Sequence, residues 1–280
     1  MTSQPTLTLN NGVRIPQLGF GTFRVDEKDT QQVVERALEV GYRHIDTAAG
    51  YYNEAAVGAA LRASGLPREE VFVTTKLRNG DQGRERARRA FEDSRSALGV
   101  DVLDLYLIHW PVPSKGLAAE TWEVLEEIYD EGGAHAIGVS NFLPDHLADL
   151  LRTARVTPAV NQIEVHPTFQ QKATQQASTD AGLVIEAYAP IGQGQDLEQA
   201  QVVALAEEIG VTPAQVVLRW HLQQGRVAIP KSATPERIAT NFDVLGFELS
   251  EAQMATVSGL DSDERMFADP QTADFTQFRS

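Results

Sequence analysis

Short apolar runs and longer amphipathic stretches alternate along almost the whole chain. The apolar runs have the length and composition of buried strands, and they lie near residues 18–21, 43–46, 71–76, 103–109, 135–139, 159–162, 183–188 and 227–230. Apolar residues at helical spacing mark the stretches 29–40, 53–63, 84–98 and 121–131. Strands that alternate with helices in this way predict a closed parallel sheet with right-handed crossovers, which is a (β/α)8 TIM barrel of the α/β class.

Two segments lie outside this repeating pattern. Residues 7–15 alternate between apolar and polar side chains around Asn11-Gly12, which is typical of a tight β-hairpin. The tail after Gly259 is polar and irregular, and we expect it to form a long loop against the mouth of the barrel. No linker or low-complexity run interrupts the chain, so residues 1–280 are interpreted as a single domain.

Polar side chains stand at or near the ends of three predicted strands. Asp46 ends the second strand, and Tyr51 follows it by five residues. Lys76 ends the third strand and His109 the fourth. Because all strand ends of a parallel barrel open on one face, these side chains are predicted to converge there. A phenol, a lysine, a carboxylate and an imidazole placed together can donate a proton to a carbonyl oxygen.

Each of these residues also has a purely structural interpretation. Asp46 could cap the following helix, and Tyr51 could be a half-buried aromatic residue. Lys76 could be a solvated strand end, and His109 a hydrogen-bonded core histidine. Their joint position on one face of the predicted barrel favours a shared chemical site.

Composition and charge exclude several function classes. The net charge of −15 argues against binding to nucleic acids or to anionic membranes, which need a basic surface. The chain has no cysteine, which excludes disulfides and thiol catalysis. Its first residues lack a basic, apolar signal region, and no apolar run approaches the length of a membrane span. We therefore expect a cytoplasmic protein.

Two common site patterns are missing from the sequence. Gly19 and Gly21 would begin a dinucleotide-binding fingerprint, but Arg24 occupies the position of its third glycine. His44 and Asp46 have the spacing found in some metal-dependent hydrolases, but the second strand-end histidine of such a site is absent. We expect no metal site, and a dinucleotide would have to bind in another way.

Six motifs follow one another along the chain in a characteristic order. They are residues 41–48 (GYRHIDTA), 75–77 (TKL), 108–111 (IHWP), 138–141 (GVSN), 161–164 (NQIE) and 229–232 (IPKS). With these motifs the chain resembles the aldo-keto reductases, and within them the bacterial 2,5-diketo-D-gluconate reductase type. The resemblance implies a barrel with its N-terminal hairpin plugging the bottom and its C-terminal loop over the active-site mouth.

The resemblance gives the four convergent residues distinct roles. Tyr51 would be the general acid, and Lys76 would lower the pKa of its phenol, which is otherwise about 10. Asp46 would keep Lys76 charged and oriented, and His109 would hydrogen-bond the substrate oxygen. The implied substrate-binding residues are Phe23, Tyr51, His109 and Trp110.

The resemblance also implies a nicotinamide cofactor. The implied cofactor contacts are Gly21, Thr22, Asp46, Ser140, Asn141, Gln162, Tyr188, Lys231, Ser232, Arg237 and Asn241. Lys231, Ser232 and Arg237 stand at the start of a helix, where they would surround the 2′-phosphate of NADPH. We therefore expect NADPH to be preferred over NADH.

Some of these cofactor residues have other interpretations. Ser140 and Asn141 could cap the helix that begins near Pro144, and Tyr188 could be an ordinary core residue. Arg78 stands where relatives often carry tryptophan, and it could be a surface charge or a clamp for an acidic substrate. The loop at residues 192–196 also looks short for the family.

The expected reaction is the NADPH-dependent reduction of an aldehyde or ketone to an alcohol. The expected substrate is a small polar carbonyl compound such as a keto-sugar, a diketone or an aldehyde. Two other classes stay open: a non-catalytic NADP(H)-binding sensor subunit on the same fold, and a phosphate-binding barrel isomerase or lyase. The acidic surface without an obvious apolar patch favours a monomer.

Overall fold

A computed structural model of the protein describes residues 4–275. Its strands are, in chain order, β1 (Thr6–Thr8), β2 (Arg14–Pro16), β3 (Phe20–Gly21), β4 (His44–Asp46), β5 (Phe72–Leu77), β6 (Leu103–Ile108), β7 (Ala134–Ser140), β8 (Val160–Glu164), β9 (Val184–Tyr188) and β10 (Val227–Ala228). Strands β3 to β10 pair in sequential order as a parallel sheet. The amides of Gly19 and Gly21 donate to the carbonyls of Ala228 and Pro230, and these bonds close the sheet. The predicted (β/α)8 barrel is confirmed.

Helices follow the barrel strands and cover their outer faces. Within residues 4–275 they are α1 (Glu27–Val40), α2 (Glu54–Ala63), α3 (Arg84–Leu98), α4 (Ala118–Asp130), α5 (Pro144–Leu151), α6 (Lys172–Asp180), α7 (Ala200–Ile209), α8 (Pro213–Gln223), α9 (Pro235–Phe242) and α10 (Glu251–Ser258). The helices predicted from spacing agree with α1 to α4 to within three residues at each end. The beginning of α8 is well defined by its sequence. The hydroxyl of Thr212 accepts a hydrogen bond from the backbone amide of Gln215, and Pro213 suits the first turn of a helix.

The N-terminal hairpin closes the bottom of the barrel. Strands β1 and β2 pair antiparallel, and Gly12 in the turn has a φ of 87°, which a side chain would disfavour. Leu9 and Ile15 are buried in one apolar cluster with Leu105 and Val227 of the barrel strands. The predicted hairpin plug is therefore confirmed.

The segment after α10 returns to the opposite end of the barrel. The amide of Ser262 donates to the carbonyl of Thr168, and Phe267 and Phe275 line the central cavity. The predicted loop over the mouth is confirmed as far as residue 275, and the last part of that tail, residues 276–280, lies outside the described residues.

No single helix in the described part of the chain is long and apolar enough to cross a membrane. Helices α7 and α8 together pass a test of length and composition, but they are bent by 93° at the break between them. Their apolar side chains, among them Val202 and Trp220, form a buried cluster where the two helices meet.

Candidate active site

A cavity of about 930 Å³ opens at the carboxyl ends of the barrel strands. Of the residues predicted from sequence, those that line it are Gly21, Phe23, Asp46, Tyr51, His109, Trp110, Ser140, Asn141, Gln162, Tyr188, Lys231, Ser232, Arg237 and Asn241. Lys76 is not part of this lining but lies directly behind Asp46. The side chain of Thr22 does not line the cavity, because its buried hydroxyl donates to the carbonyl oxygen of Asp46 at 3.0 Å; a cofactor contact of Thr22 stays a prediction.

Asp46, Tyr51, Lys76 and His109 form the base of the site, which we call the floor, and Lys76 lies at its centre. Its ammonium nitrogen lies 2.7 and 2.8 Å from the two carboxylate oxygens of Asp46 and 2.8 Å from the carbonyl oxygen of Thr47. The hydroxyl of Tyr51 lies 3.5 Å from Lys76 Nζ and 3.5 Å from His109 Nε2. The structure therefore brings the four predicted residues together, with the phenol of Tyr51 between the lysine and the imidazole.

The phenol of Tyr51 holds its proton firmly. Burial, and then the nearby carboxyl groups of Asp46 and Glu186, raise the pKa of Tyr51 well above 10. This direction is opposite to the lowered pKa expected from the sequence, and Lys76, 2.7 Å from Asp46 but 3.5 Å from the phenol oxygen, does not reverse it. An alkoxide is a stronger base than a phenolate, so such a phenol can still protonate a reduced carbonyl oxygen.

His109 is a neutral hydrogen-bonding group in this site. Burial, and then the positive charge of Lys76, lower the pKa of His109 well below 6.5. A neutral imidazole donates through one ring nitrogen. It can therefore orient a substrate oxygen without competing with Tyr51 as the source of the proton.

A second buried carboxyl lies beneath this floor. Glu186 on β9 is fully buried, and its carboxyl oxygen lies 3.5 Å from Nε2 of His44. Burial, and then Asp46, raise the pKa of Glu186 to about 8, while burial lowers the pKa of His44 to about 3. Gly19 makes room here, because a Cβ on it would lie 2.6 Å from the His44 ring. Burial in the layer below Lys76 therefore favours the uncharged forms of both side chains.

Two polar residues extend the floor along the strand ends. The side-chain amide of Gln162 on β8 donates to Asp46 at 2.8 Å, and the hydroxyl of Ser140 on β7 donates to the carbonyl oxygen of Gln162 at 2.8 Å. Leu143 is the residue that precedes the first turn of α5, and its amide donates to the ring of His146. The alternative in which Ser140 caps α5 is therefore wrong.

Asn141 joins the two sides of the cavity. Its φ of 64° is a left-handed conformation that asparagine tolerates better than most residues. Its amide donates to the carbonyl oxygen of His109 at 3.0 Å, and its oxygen accepts the hydroxyl of Tyr188 at 2.8 Å. Tyr188 is thus fixed at the cavity wall, and Asn141, like Ser140, does not cap α5.

Two cations line the part of the cavity next to α9. Lys231 precedes this helix and Arg237 lies in its first turn. Within residues 4–275 neither of them forms an ion pair, and burial lowers the pKa of Lys231. The hydroxyl of Ser232 accepts the amide of Thr234 between them. Unpaired cations beside a helix N-terminus on a protein of charge −15 form a site suited to an anion.

Aromatic rings line the part of the cavity around Tyr51. The ring of Phe23 lies 5.1 Å from that of Tyr51 and 6.2 Å from that of Phe267. The ring of Trp110 lies 5.1 Å from that of Phe275. This end of the cavity is therefore suited to an apolar or aromatic group next to a carbonyl.

Arg78 does not reach this aromatic end. Its guanidinium donates to both carboxylate oxygens of Asp81, at 2.8 and 3.0 Å, and lies 3.4 Å from the hydroxyl of Tyr52. It is not among the residues that line the cavity. These contacts favour the interpretation as a surface charge over that of a substrate clamp.

The cavity is also lined by residues that were not predicted as site residues from the sequence, among them Arg24, Gln193 and Phe267. Arg24 donates to the side-chain oxygen of Gln193 at 3.2 Å, which joins the loop after β3 to the 3₁₀ segment Gly192–Glu198. The position of Arg24 directly after Phe23 was an available signal. Phe267 had none, because the tail has no periodic pattern from which to read a direction.

The chain is similar to known proteins over almost its whole length. The sequence model described as the aldo/keto reductase family matches residues 17–262. An aldo-keto reductase of Mycolicibacterium smegmatis is 47% identical over 272 residues, which cover 97% of this chain and 99% of that protein. Morphine 6-dehydrogenase of Pseudomonas putida is 46% identical over 287 residues, which cover 98% and 97%.

A solved structure gives the same result in three dimensions. The crystal structure of a Gox0644 mutant in complex with NADPH has a TM-score of 0.93 to this chain at 43% identity. The match covers 97% of this chain and 99% of that one. The similarity therefore extends over the whole barrel and includes the strand ends that carry the site.

Proposed function

Because the chain belongs to the aldo/keto reductase family, we propose that it reduces aldehydes or ketones to alcohols with NADPH as hydride donor and Tyr51 as proton donor. It is an NADP-dependent oxidoreductase. The observation that carries the residue assignment is the position of the Tyr51 hydroxyl, at the cavity wall and 3.5 Å from both Lys76 and His109.

The side chains of the floor divide the proton chemistry among them. When bound, NADPH supplies a hydride to the carbonyl carbon. Tyr51 gives its phenolic proton to the carbonyl oxygen as negative charge develops there. Lys76 stabilises the phenolate that remains, and Asp46 holds Lys76 in place through two hydrogen bonds. His109, as a neutral donor, orients the substrate oxygen.

The cavity contains groups that suit the cofactor. The amides and hydroxyls of Ser140, Asn141 and Gln162 surround its base, where they would hold the nicotinamide end. Lys231 and Arg237 would hold the 2′-phosphate, because they are the unpaired cations next to α9. This arrangement supports a preference for NADPH over NADH. Tyr188 would lie against the nicotinamide ring.

The lining supports an uncharged substrate with an apolar or aromatic face. Phe23, Trp110, Phe267 and Phe275 surround the space next to Tyr51. A carboxylated keto-sugar such as 2,5-diketo-gluconate would need a free cation there. Arg78 is bonded to Asp81 outside the cavity, and Arg24, which lies over the ring of Phe23, donates to the side-chain oxygen of Gln193. Of the substrates expected from sequence, aldehydes and diketones are therefore better supported than acidic keto-sugars.

The test is NADPH oxidation by the purified protein with a matched set of carbonyl compounds: an aromatic aldehyde, an apolar diketone, a neutral keto-sugar and an acidic keto-sugar. We expect the highest kcat/KM with the first two and the lowest with the acidic compound. Binding of NADPH without its oxidation by any member of the set would favour the sensor-subunit alternative. The highest kcat/KM with the acidic keto-sugar would overturn the substrate assignment.

Organisation and assembly are part of the same proposal. We propose a single domain, because the barrel strands belong to one sheet and the family match spans residues 17–262. We also propose a monomer, because Tyr52 is the one strongly exposed large hydrophobic side chain among the described residues. The cytoplasmic location stays a prediction.

A further inference from the structure

Three buried ionisable side chains form a cluster behind the cavity wall. His166, two residues after β8, is fully buried, and its Nδ1 lies 2.9 Å from a carboxylate oxygen of Asp196. Its Nε2 lies 3.2 Å from a carboxylate oxygen of Glu164, which is also fully buried. None of the three lines the cavity. Because both ring nitrogens face carboxylate oxygens, the imidazole carries two protons and one positive charge.

The surroundings of His166 agree with this charge. Burial, the largest influence, lowers the pKa of His166, but the hydrogen bonds to Asp196 and Glu164 outweigh it and raise the pKa to about 9. Other ionisable groups nearby are Arg265, 3.9 Å from Glu164, and His221, whose pKa burial lowers well below 6.5. Tyr188 is a third, since burial and then the charge of Glu164 raise the pKa of its phenol. The cluster therefore consists of two carboxylates that share one central cation.

Glu164 connects the cluster to the C-terminal tail. Its carboxylate accepts the backbone amides of Met266 at 2.7 Å and Phe267 at 3.3 Å. The ring of Phe267 lies in the cavity, 5.3 Å from that of Tyr188 and 6.2 Å from that of Phe23. Glu164 therefore fixes the part of the tail that forms the aromatic wall, which we call the substrate cover (residues 265–268).

Asp196 connects the cluster to the segment Gly192–Glu198, which we call the cofactor cover. Its carboxylate accepts the hydroxyl of Thr168 at 2.7 Å as well as the ring of His166. A Cβ on Gly192 would lie 2.6 Å from Cγ of Asp196, so the segment wraps tightly around this carboxylate. Gln193 in the same segment lines the cavity and accepts the hydrogen bond from Arg24. Arg24 lies close enough to Lys231 that, after burial, its charge helps to lower the pKa of Lys231, so this segment borders the cations assigned to the cofactor.

We propose that His166 is a positioning residue that couples the cofactor cover to the substrate cover. The covers arise from distant parts of the chain, and each is held by a buried carboxylate that depends on the same cation. Weakening either carboxylate changes the hold of His166 on the other, because a buried charge without its partner is strongly unfavourable. The assignment of one cover to the cofactor and the other to the substrate rests on the proposed function. The coupling between the two segments through His166 does not depend on that assignment.

The test is whether a substitution that weakens one cover changes a property that depends on the other cover. Asp196→Asn removes a charge on the cofactor side, and Glu164→Gln removes one on the substrate side. We expect Asp196→Asn to raise KM for the carbonyl, and Glu164→Gln to speed NADPH release, each by about tenfold, the effect of one lost charge-assisted hydrogen bond. The kcat under conditions where chemistry limits should change little. NADPH release is measured by stopped-flow protein fluorescence.

Two controls separate coupling from local damage. Thr168→Val removes a neutral donor from Asp196, and with it a hydroxyl 3.1 Å from Nδ1 of His166, but it leaves the cation and both carboxylates, so it should affect NADPH release more than carbonyl KM. The wild-type protein provides a second control through its pH dependence. Because the pKa of His166 is raised to about 9, the contribution of its positive charge to holding the two covers is complete below pH 6.5 and is lost as pH rises through about 9. NADPH release should therefore accelerate through that pH, and His166→Asn should release NADPH quickly at every pH.

The proposal is overturned if Glu164→Gln changes carbonyl KM alone while Asp196→Asn changes NADPH release alone. It is also overturned if wild-type NADPH release stays constant as pH rises through about 9. Failure of the proposed function is a separate result, since a protein that reduces no carbonyl still binds and releases NADPH. In that case the effect of Glu164→Gln on NADPH release tests the coupling by itself.

Discussion

The floor of the site and its two covers are held in different ways. Asp46 and Lys76 stand on β4 and β5 and His109 directly follows β6, so ladder hydrogen bonds set their positions. The covers lie outside the sheet. The cofactor cover is a 3₁₀ segment interrupted at Gln193, which has a φ of 51°, and both covers are held mainly by side-chain contacts such as those of Glu164 and Asp196. The sheet therefore positions the residues proposed for proton transfer, whereas a few side chains position the segments that would contact the substrate and the cofactor.

This difference has a consequence for mutations. A slip of one residue in the register of a strand would turn its side chains to the other face, so the floor is specified by the whole fold. A cover can change through one or two side chains while the barrel stays intact. Substitutions in the floor should therefore change the rate of the chemical step, and substitutions in the covers or cavity walls should change affinity.

The largest effect is expected in the floor, for Tyr51→Phe. The substitution removes the proton donor and keeps the ring next to Phe23. Positioned acid catalysis contributes about a hundredfold to ten-thousandfold, so the single-turnover rate of reduction should fall by that amount. NADPH affinity should be nearly unchanged. Rapid-mixing measurement of NADPH oxidation gives the rate, and fluorescence titration gives the affinity.

Tyr52→Phe is the matched control for this prediction. Tyr52 is the next residue, is 43% exposed and lies 3.4 Å from Arg78, outside the proposed proton path. We expect wild-type turnover from it. If Tyr51→Phe retained more than about a tenth of wild-type turnover with chemistry limiting, Tyr51 would not be the proton donor.

The floor could be predicted from the sequence because its residues end apolar runs, and such runs define strands. The resemblance added Ser140 and Gln162, which also line the cavity. Sequence reasoning failed for the pKa of Tyr51, because burial and the carboxyl groups of Asp46 and Glu186 depend on how strands pack inside the barrel. Strand position alone does not give the local dielectric.

The covers could not be predicted in the same way. Phe267 lies in a tail without periodicity, and its direction is set by backbone bonds to Glu164, about a hundred residues earlier in the chain. Glu164 was part of a recognised motif, but its partner His166 also needs Asp196 from a third segment. Thr22 lies between the lining residues Gly21 and Phe23, but its side chain turns inward to Asp46, a direction that the sequence did not predict.

A second, smaller effect is expected in the wall next to α9. Lys231→Ala/Arg237→Ala should reduce the preference for NADPH over NADH by about a hundredfold, since two charge-assisted contacts to the 2′-phosphate are lost. This is the lower end of the range for two such contacts, because both side chains are exposed to solvent. Fluorescence titration with each cofactor measures the preference.

Glu236→Gln is the matched control of opposite sign. Glu236 lines the same part of the cavity and would repel the phosphate, so its neutralisation should tighten NADPH binding and leave NADH binding unchanged. Equal loss of both cofactors in Lys231→Ala/Arg237→Ala would contradict the assignment, because the cations would then serve the pyrophosphate that both cofactors share.

The substrate cover gives a third test, with Phe267→Ala. The substitution removes the ring that faces Phe23 and Tyr188, so KM for an aromatic aldehyde should rise by about three- to tenfold, the size of one aromatic contact. KM for a short aliphatic aldehyde should rise less, and kcat should stay near wild type. An equal rise for both aldehydes would mean that Phe267 shapes the cover without contacting the substrate.

The smallest effect is expected for Arg78→Ala. Its guanidinium is bonded to Asp81 and does not line the cavity, so KM should stay unchanged for acidic and neutral carbonyl compounds alike. A partly exposed pair of this kind contributes about 0.2–1 kcal/mol, so the unfolding free energy should fall by no more than that.

Asp81→Ala is the matched variant on the other side of the pair. It should lower the unfolding free energy by the same small amount if the pair is the whole role of Arg78, but it also releases the guanidinium. A fall in KM for acidic carbonyls in Asp81→Ala, absent when Arg78 is removed as well, would show that Arg78 can turn towards the substrate and that Asp81 restrains it. Unchanged KM in all three variants would leave Arg78 as a surface charge and confine substrate selection to the aromatic wall.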